Sequence, residues 1–347
     1  MKVGIEHLRR HGVYFYFHEG KTTFFSHAAL ALAAGLARRG FPLYSNILSP
    51  TFTNRSIHAV GECVYIFAIS VVSPELVKIV EAYPTPHKLI LCMADNVNDL
   101  FPESDILCLV SHENRFLKIT GNRYPWPFGL SAETERRTRA IPQGPARRPV
   151  LLRNFRPSLS QGLRHALDLS FVPLLERHFT VDRNLSPSTG NLQESDHFQE
   201  EHFARLESSL GCLAYGGDFF VDYTKSPYFR NMRAKFANFR FEKEPVVLRW
   251  DSFRFWESLA AGCLTFHLDM EKYGFHLPDR PEGWRHYIPI DLEDPVGCLN
   301  RLLEEKPRWA EIRENGREWA LARYGVDGVA ERFLHLLSGE KGGNRCD

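Results

Sequence analysis

The sequence predicts an α/β protein of two domains, each built on a doubly wound parallel sheet, and three observations carry that prediction. A chain of 347 residues, 44% of them hydrophobic, is too long for one ordinary core and too apolar for disorder. Near-continuous apolar runs alternate with segments of helical period, and the alternation stops and then starts again at "VLLRNF". In the gap, "PWPFGLSAETERRTRAIPQGPARRP" is rich in Pro, Gly and Arg and has no period, as a linker reads. The expected divisions are 1–130, a linker over 131–148, a second domain over 149–325, and a last helix and tail over 326–347 that is free to pack back on the first domain.

Each element has its own signal. "GVYFYF" reads as a buried strand, and "SHAALALAAGLARRG" as the helix after it, small and apolar at helical spacing and stopped by Gly40. "ECVYIFAIS", "PELVKIVEAY", "HKLILCM", "DILCLVS" and "ENRFLKI" follow as strand, helix, strand, strand and helix, which makes the first domain Rossmann-like. The second half reads as strand "PVLLRNF", helix "GLRHALDLSFVPLLERH", strand "GCLAYGG", helix "PYFRNMRAK" and strand "FANFRF". Helix "DSFRFWESLAAG", strands "CLTFHL" and "HYIPI", and amphipathic helices over 293–338 complete it. The polar, turn-rich stretch 184–202 reads as a mobile loop. Two such domains are expected to face a cleft, with ligand beyond the carboxyl ends of the strands.

Composition excludes several classes. The 43 basic and 42 acidic residues leave a formal net charge of +1, which does not suit a dedicated nucleic-acid binder. Seven scattered cysteines without CxxC spacing read as reduced thiols in a cytoplasmic protein, and no histidine pair beside them suggests zinc. "MKVGIEHLRRHG" lacks the apolar stretch of a signal peptide, and no run reaches the length of a membrane span. Paired arginines (9/10, 38/39, 136/137, 147/148) leave peripheral contact with an anionic membrane open, beside the plainer reading of solvated faces.

"HEGKTTFF" (18–25) contains a Gly-Lys-Thr triplet after an apolar run, yet Phe15 stands where a phosphate-cradling loop needs its first glycine, so the match fails. What remains is a strand end, Gly20, and Ser26 and His27 at a helix start, where His27 is either a packing histidine or a group aimed into the cleft. The densest chemistry lies at 228–269. Asp251 or Ser252 caps a helix whose free amides favour a phosphate, Arg249 precedes the cap, Arg254 follows it, and Glu257 lies one turn beyond Arg254. Arginines for a diphosphate and a carboxylate for two ribose hydroxyls suit a nucleotide sugar; a surface Arg–Glu pair is the plainer reading. His267, His276 and His286 have no metal-ligand spacing and read as cleft or surface residues. "RYPWPFG" (123–129) offers rings for a sugar or for hydrophobic packing between domains.

"SFRFWESLAAGCLTF" resembles the donor-site signature of GT-B-fold glycosyltransferases, and the stretch from "KFANFRF" to "LTFHLD" is similar in layout to exostosin-type and group 1-like transferases. "HEGKTTFFSHAALALAAGLARRGFPLYSN" resembles the first β-α unit of that class. The motif-level likeness covers about a fifth of the chain and its layout most of it. It implies that Glu257 holds the donor ribose, that Arg249, Ser252 and Arg254 lie near the diphosphate, and that Arg233 and Lys235 are further candidates. "LLRNFRPS" replaces the usual glycine-rich start of the second domain, so Arg153, Asn154 and Arg156 take over by side chain what backbone amides do elsewhere; Leu264 stands where the class has a proline. Without a D-x-D motif, metal-independent transfer with no cofactor is expected, and an inverting reaction would use His27 as base, oriented by Asp95, with Glu19 as the rival base. The expected partners are a UDP- or GDP-linked sugar and a glycan or glycolipid acceptor, as in polysaccharide biosynthesis. Another nucleotide-using sugar enzyme, an epimerase or kinase, and a non-catalytic sugar- or partner-binding relative are the alternatives.

Overall fold

The structure, a computed structural model, describes residues 2–18, 20–21, 26–59, 61–69, 74–92, 105–116, 122–142, 144, 147–153, 155, 162–183, 196–220 and 246–339. The chain divides into two compact units, Met1–Ala132 with Ala322–Asp347, and Glu133–Leu321.

In the first unit, α1 (Ile5–His11) leads into β1 (Val13–Phe17), and α2 (His27–Arg38) follows. Next come β2 (Leu43–Ser45), β3 (Thr53–Asn54), β4 (Val64–Ile69), α3 (Pro74–Ala82), β5 (Lys88–Cys92), β6 (Leu107–Val110) and β7 (Arg123–Pro125). Among the described residues these strands form a seven-stranded sheet in the order β3-β2-β1-β4-β5-β6-β7, every pair parallel. The order reverses between β1 and β4, the switch point at which such sheets bind ligands. β1, β4 and β5 are almost wholly buried, because their aromatic and β-branched residues face helices on both sides.

The strand and helix readings of "GVYFYF", "SHAALALAAGLARRG", "ECVYIFAIS", "PELVKIVEAY", "HKLILCM" and "DILCLVS" agree with the structure. "ENRFLKI" differs: Glu113–Phe116 are not helical, and residues 117–119 lie outside the described residues. Trp126 and Phe128 are buried in this unit's own core, Trp126 edge-on to Phe333 at 6.4 Å and Phe128 edge-on to His112 at 5.1 Å.

The second unit starts with α4 (Ala132–Ala140), inside the stretch that reads as a linker. Its sequence is polar on almost every face, and its turns are tied by Glu133 to Arg136 (2.6 Å) and Arg137, and by Glu135 to Arg139 (2.9 Å). β8 (Arg148–Leu152), α5 (Gly162–Ser170), α6 (Val172–Leu175), β9 (Thr180–Asp182), α7 (Asp196–Ser208) and β10 (Ser209–Leu213) follow. After them come β11 (Asp218–Phe220), β12 (Val246–Leu248), α8 (Phe253–Ala260), β13 (Leu264–Leu268), β14 (Ile288–Ile290) and α9 (Pro295–Glu304). α10 (Trp309–Tyr324) returns the chain to the first unit, where α11 (Val326–Ser338) ends the described chain. The second sheet runs β14-β13-β10-β8-β9, all parallel, with its switch point between β8 and β10; β11 and β12 form a separate antiparallel hairpin.

Two differences from the sequence reading have local causes. Helix "GLRHALDLSFVPLLERH" breaks at Phe171, where Pro173 starts α6. α7 occupies the end of the stretch read as a loop, and its apolar Leu206 is fully buried. The strand "FANFRF" and the helix "PYFRNMRAK" lie outside the described residues. Cys63, Cys92, Cys108, Cys212, Cys263 and Cys298 are free thiols. No helix among the described residues is long and apolar enough to cross a membrane.

Candidate functional site

At the carboxyl edge of the second sheet, residues 249–257 form a rigid corner. Arg249 has φ 53, a left-handed conformation that costs an L-residue with a Cβ energy and persists only where its surroundings hold it. The holding contacts are visible. Trp250, almost fully buried, stacks flat on Phe275 (4.7 Å between centroids, 6° between planes). The Trp250 carbonyl lies 3.0 Å from the His267 Nε2, and Asp251 Oδ1 accepts from the Trp256 indole at 2.7 Å. Ser252 is the N-cap residue of α8 in extended backbone, and its hydroxyl makes no capping bond. The start of α8 carries the positive end of its helix dipole.

One turn into α8 three groups converge. Glu257 Oε2 accepts from Arg254 Nη1 at 2.6 Å and lies 3.0 Å from Nε2 of His202 on α7; that nitrogen is also 2.8 Å from Arg254 Nη1. The side chains of His202, Arg254 and Glu257 are 3%, 13% and 17% exposed, so the anion is nearly enclosed yet open on one side. Among the described residues nothing bonds to Glu257 Oε1. Burial works to raise the Glu257 pKa, but the Arg254 charge and the His202 hydrogen bond outweigh it and bring it to about 2. His202 is lowered, first by burial and then by Arg254. The group at neutral pH is an ionised carboxylate, a guanidinium and a neutral imidazole, whose tautomer decides whether Nε2 donates to Glu257 or accepts from Arg254. Arg254 Nη1 thus lies on Glu257.

The switch point carries a second ion pair. Arg153, at the end of β8 and 5% exposed, grips Asp168 of α5 with Nε at 2.7 Å and with Nη2, while its guanidinium covers the Phe155 ring at 4.6 Å. Arg164 covers the same ring at 5.3 Å and donates from Nε to the Tyr215 carbonyl at 3.2 Å. Tyr215 is 1% exposed, and its hydroxyl has no hydrogen-bond partner among the described residues. Neither Arg164 nor Tyr215 has a motif to betray it in the sequence; both follow only from the strand order. Asn154, Arg156, Arg233 and Lys235 lie outside the described residues.

In the first unit, His27 is half-buried at the start of α2, with Nε2 3.4 Å from the Gly129 carbonyl. Glu19 and Asp95 lie outside the described residues. The sequence reading missed a polar group at the carboxyl edge of β6: Ser111, His112, Glu113 and Asn114 are all buried, and His112 has φ 63. Glu113 is ion-paired to Arg123, both side chains almost unexposed; burial nonetheless raises the Glu113 pKa against the pull of Arg123. The available signal was a polar "SHEN" directly after the buried strand "DILCLV". His267 is fully buried, and burial lowers its pKa to about 4; His286 is 8% exposed and its Nδ1 accepts from the Glu282 amide at 2.8 Å. These two are core residues, because aromatic neighbours enclose one and a turn amide engages the other.

No protein-family profile and no curated protein sequence matches the chain. Its structure is similar to several solved ones. Anabaena HepE in complex with UDP and glucose aligns at 11% identity and TM-score 0.45, over 94% of this chain and 99% of that one. AviGT4, a glycosyltransferase involved in avilamycin A biosynthesis, aligns at 13% identity and TM-score 0.49, over 94% and 98%. A glycosyltransferase from Rickettsia africae aligns at 9% identity and TM-score 0.49, over 95% and 99%. At these identities and scores the likeness assigns no activity.

Proposed function

We propose that this protein moves a glycosyl group from a nucleoside-diphosphate sugar to a hydroxyl of a glycan or related acceptor. The observation that supports it is Glu257: an ionised, nearly enclosed carboxylate with one oxygen committed to Arg254 and His202 and the other unbonded among the described residues, one turn from a helix start that the Ser252 side chain does not cap. A carboxylate oxygen accepts from ribose hydroxyls, and the helix amides with Arg249 and Ser252 take the diphosphate. Arg254 and His202 then serve to keep Glu257 anionic and in place. In the reaction the bond from the anomeric carbon to the diphosphate breaks, and the leaving group carries away its charge against the helix dipole and Arg249. The acceptor oxygen bonds to the same carbon and loses its proton. In an inverting reaction His27 takes that proton, with Asp95 as orienter and Glu19 as rival base. Metal independence is part of the proposal, since the arginines and helix dipole supply the positive charge.

The test is release of nucleoside diphosphate from UDP- and GDP-linked sugars, with and without magnesium and with glycan acceptors present. Acceptor-dependent release that is insensitive to chelator and is lost in Glu257→Gln supports the proposal. Absence of release with any donor, from a protein shown to be folded, would turn it aside.

A further inference from the structure

His7, His11 and His87 gather at the amino edge of the first sheet, opposite the carboxyl ends at which such sheets bind ligands. His11 runs through Gly12 into β1, Glu62 stands two residues ahead of β4, and His87 immediately precedes β5; these three strands are neighbours in the sheet. His7 and His11 lie one turn apart on α1 with ring centroids 4.6 Å apart, and the His87 ring stands edge-on to that of His7 at 5.0 Å. Glu62 serves two of the rings. Its carbonyl accepts from His7 Nε2 at 2.7 Å, and its carboxylate lies 3.0 Å from His11 Nε2. Neither oxygen can donate, so both Nε2 atoms carry a proton, and a further proton on either ring goes to Nδ1, which makes no hydrogen bond among the described residues.

α1 is a marginal element. Seven residues are too few to stay helical alone, and Leu8 is the buried side chain within it, with Val3 buried ahead of it. The Val3 amide donates to the Leu337 carbonyl of α11 at 2.8 Å, and at the other end Gly12 turns into β1 at φ 82, where a Cβ would overlap the Pro42 carbonyl. Besides these anchors α1 meets the sheet through the ring cluster and through the His11 carbonyl, which accepts from the Cys63 thiol at 2.8 Å.

One carboxylate balances one imidazolium. Of the other charged groups around the rings, Glu6 is paired with Arg9 on α1 at 3.3 Å, Arg10 is a further cation, and Lys88, next to His87, has Glu81 of α3 near its charge. The Tyr44 ring beside Gly12 and the Cys63 thiol are neutral in acid. The His87 pKa is lowered from 6.5, first by burial, then by the charges of His7 and of the amino terminus. The docked segment therefore takes up protons less readily than a released one, and docking weakens as pH falls below 6.5.

We propose that the three histidines are a proton-operated latch on α1. With no more than one charge they hold the helix across the starts of β1, β4 and β5. With a second and a third, imidazoliums in ring contact repel around a single carboxylate, and α1 swings away about Gly12. The latch lies in the first unit and stands whether or not the second unit binds nucleotide.

The experiment is amide hydrogen exchange of the whole chain between about pH 7.5 and about pH 5.5, corrected for the intrinsic pH dependence of exchange, with β4 as internal reference. The Leu8 and Gly12 amides, which bond to the Gly4 and Leu8 carbonyls, report on α1. In wild type their protection is expected to fall about tenfold or more across that range while β4 stays protected. His87→Gln removes one of the three charges and should lessen the fall to about threefold; Glu62→Gln removes the balancing carboxylate and should bring the fall on at higher pH. Constant protection of α1 in wild type overturns the proposal, as does a fall of the same size in His87→Gln or an unmoved midpoint in Glu62→Gln. A fall that takes β4 with it also overturns it, because the whole unit then opens rather than α1 alone.

Discussion

Arg254 and Glu257 form a pair that is costly to break by halves. Arg254→Met leaves a carboxylate without its cation in a nearly enclosed place, and stability should fall by about 3 kcal/mol, read from urea midpoints. The double variant Arg254→Met with Glu257→Leu removes the stranded charge and should recover much of that loss, without recovering nucleotide binding. Full recovery of binding would detach Glu257 from the donor. His267 supplies the acid sensitivity of the same unit. Its pKa is lowered from 6.5 to about 4, so the unfolded chain takes up a proton before the folded one does. Stability should therefore decline by about 3 kcal/mol as pH falls from 6.5 to 4, and His267→Gln should flatten that decline even though it is less stable at neutral pH. An unchanged pH slope in the variant would place the acid sensitivity elsewhere. The pairing of Arg254 with Glu257 was legible from their three-residue spacing. His202 was not, because 55 residues separate it from Glu257 and only the fold brings α7 beside α8.

The elements divide into those that periodicity reveals and those that it hides. β1, α2, β4, α8 and β13 announce themselves because burial writes long apolar patterns, and their order was readable. α4 was hidden because ion pairs along its surface, rather than an apolar stripe, support it. The turn after β6 was misread because its polar residues pack inward around the Glu113–Arg123 pair, which no local pattern reports. α8 gives two predictions of opposite kind. Ser252→Ala should cost under about 0.5 kcal/mol, against about 1 for an ordinary cap, because the Ser252 side chain does not cap. Arg249→Gly should leave stability level or raise it by about 1 kcal/mol, since glycine takes φ 53 without strain, while nucleotide affinity falls. A marked loss of stability would mean that the Arg249 side chain is itself structural. In the first unit, Gly35→Ala should destabilise by about 2 kcal/mol, because a Cβ would overlap the Val326 carbonyl where α11 packs on α2.

At the scale of the whole molecule, two sheets of parallel strands each have a switch point, between β1 and β4 and between β8 and β10. The sequence made both sheets readable, because strands buried on two faces need continuous apolar runs. The strand orders were not readable, since they depend on which edges meet. In the proposed function the carboxyl edge of the second sheet binds a nucleoside diphosphate through Glu257 and the start of α8. The most direct measurement is calorimetric titration of the folded chain with UDP, GDP, CMP and ADP, repeated on Glu257→Gln. The account predicts metal-independent binding of one nucleoside diphosphate, weakened by ~2 kcal/mol, about 30-fold, in the variant. Equal affinity in wild type and Glu257→Gln, or no binding of any nucleotide, would contradict it.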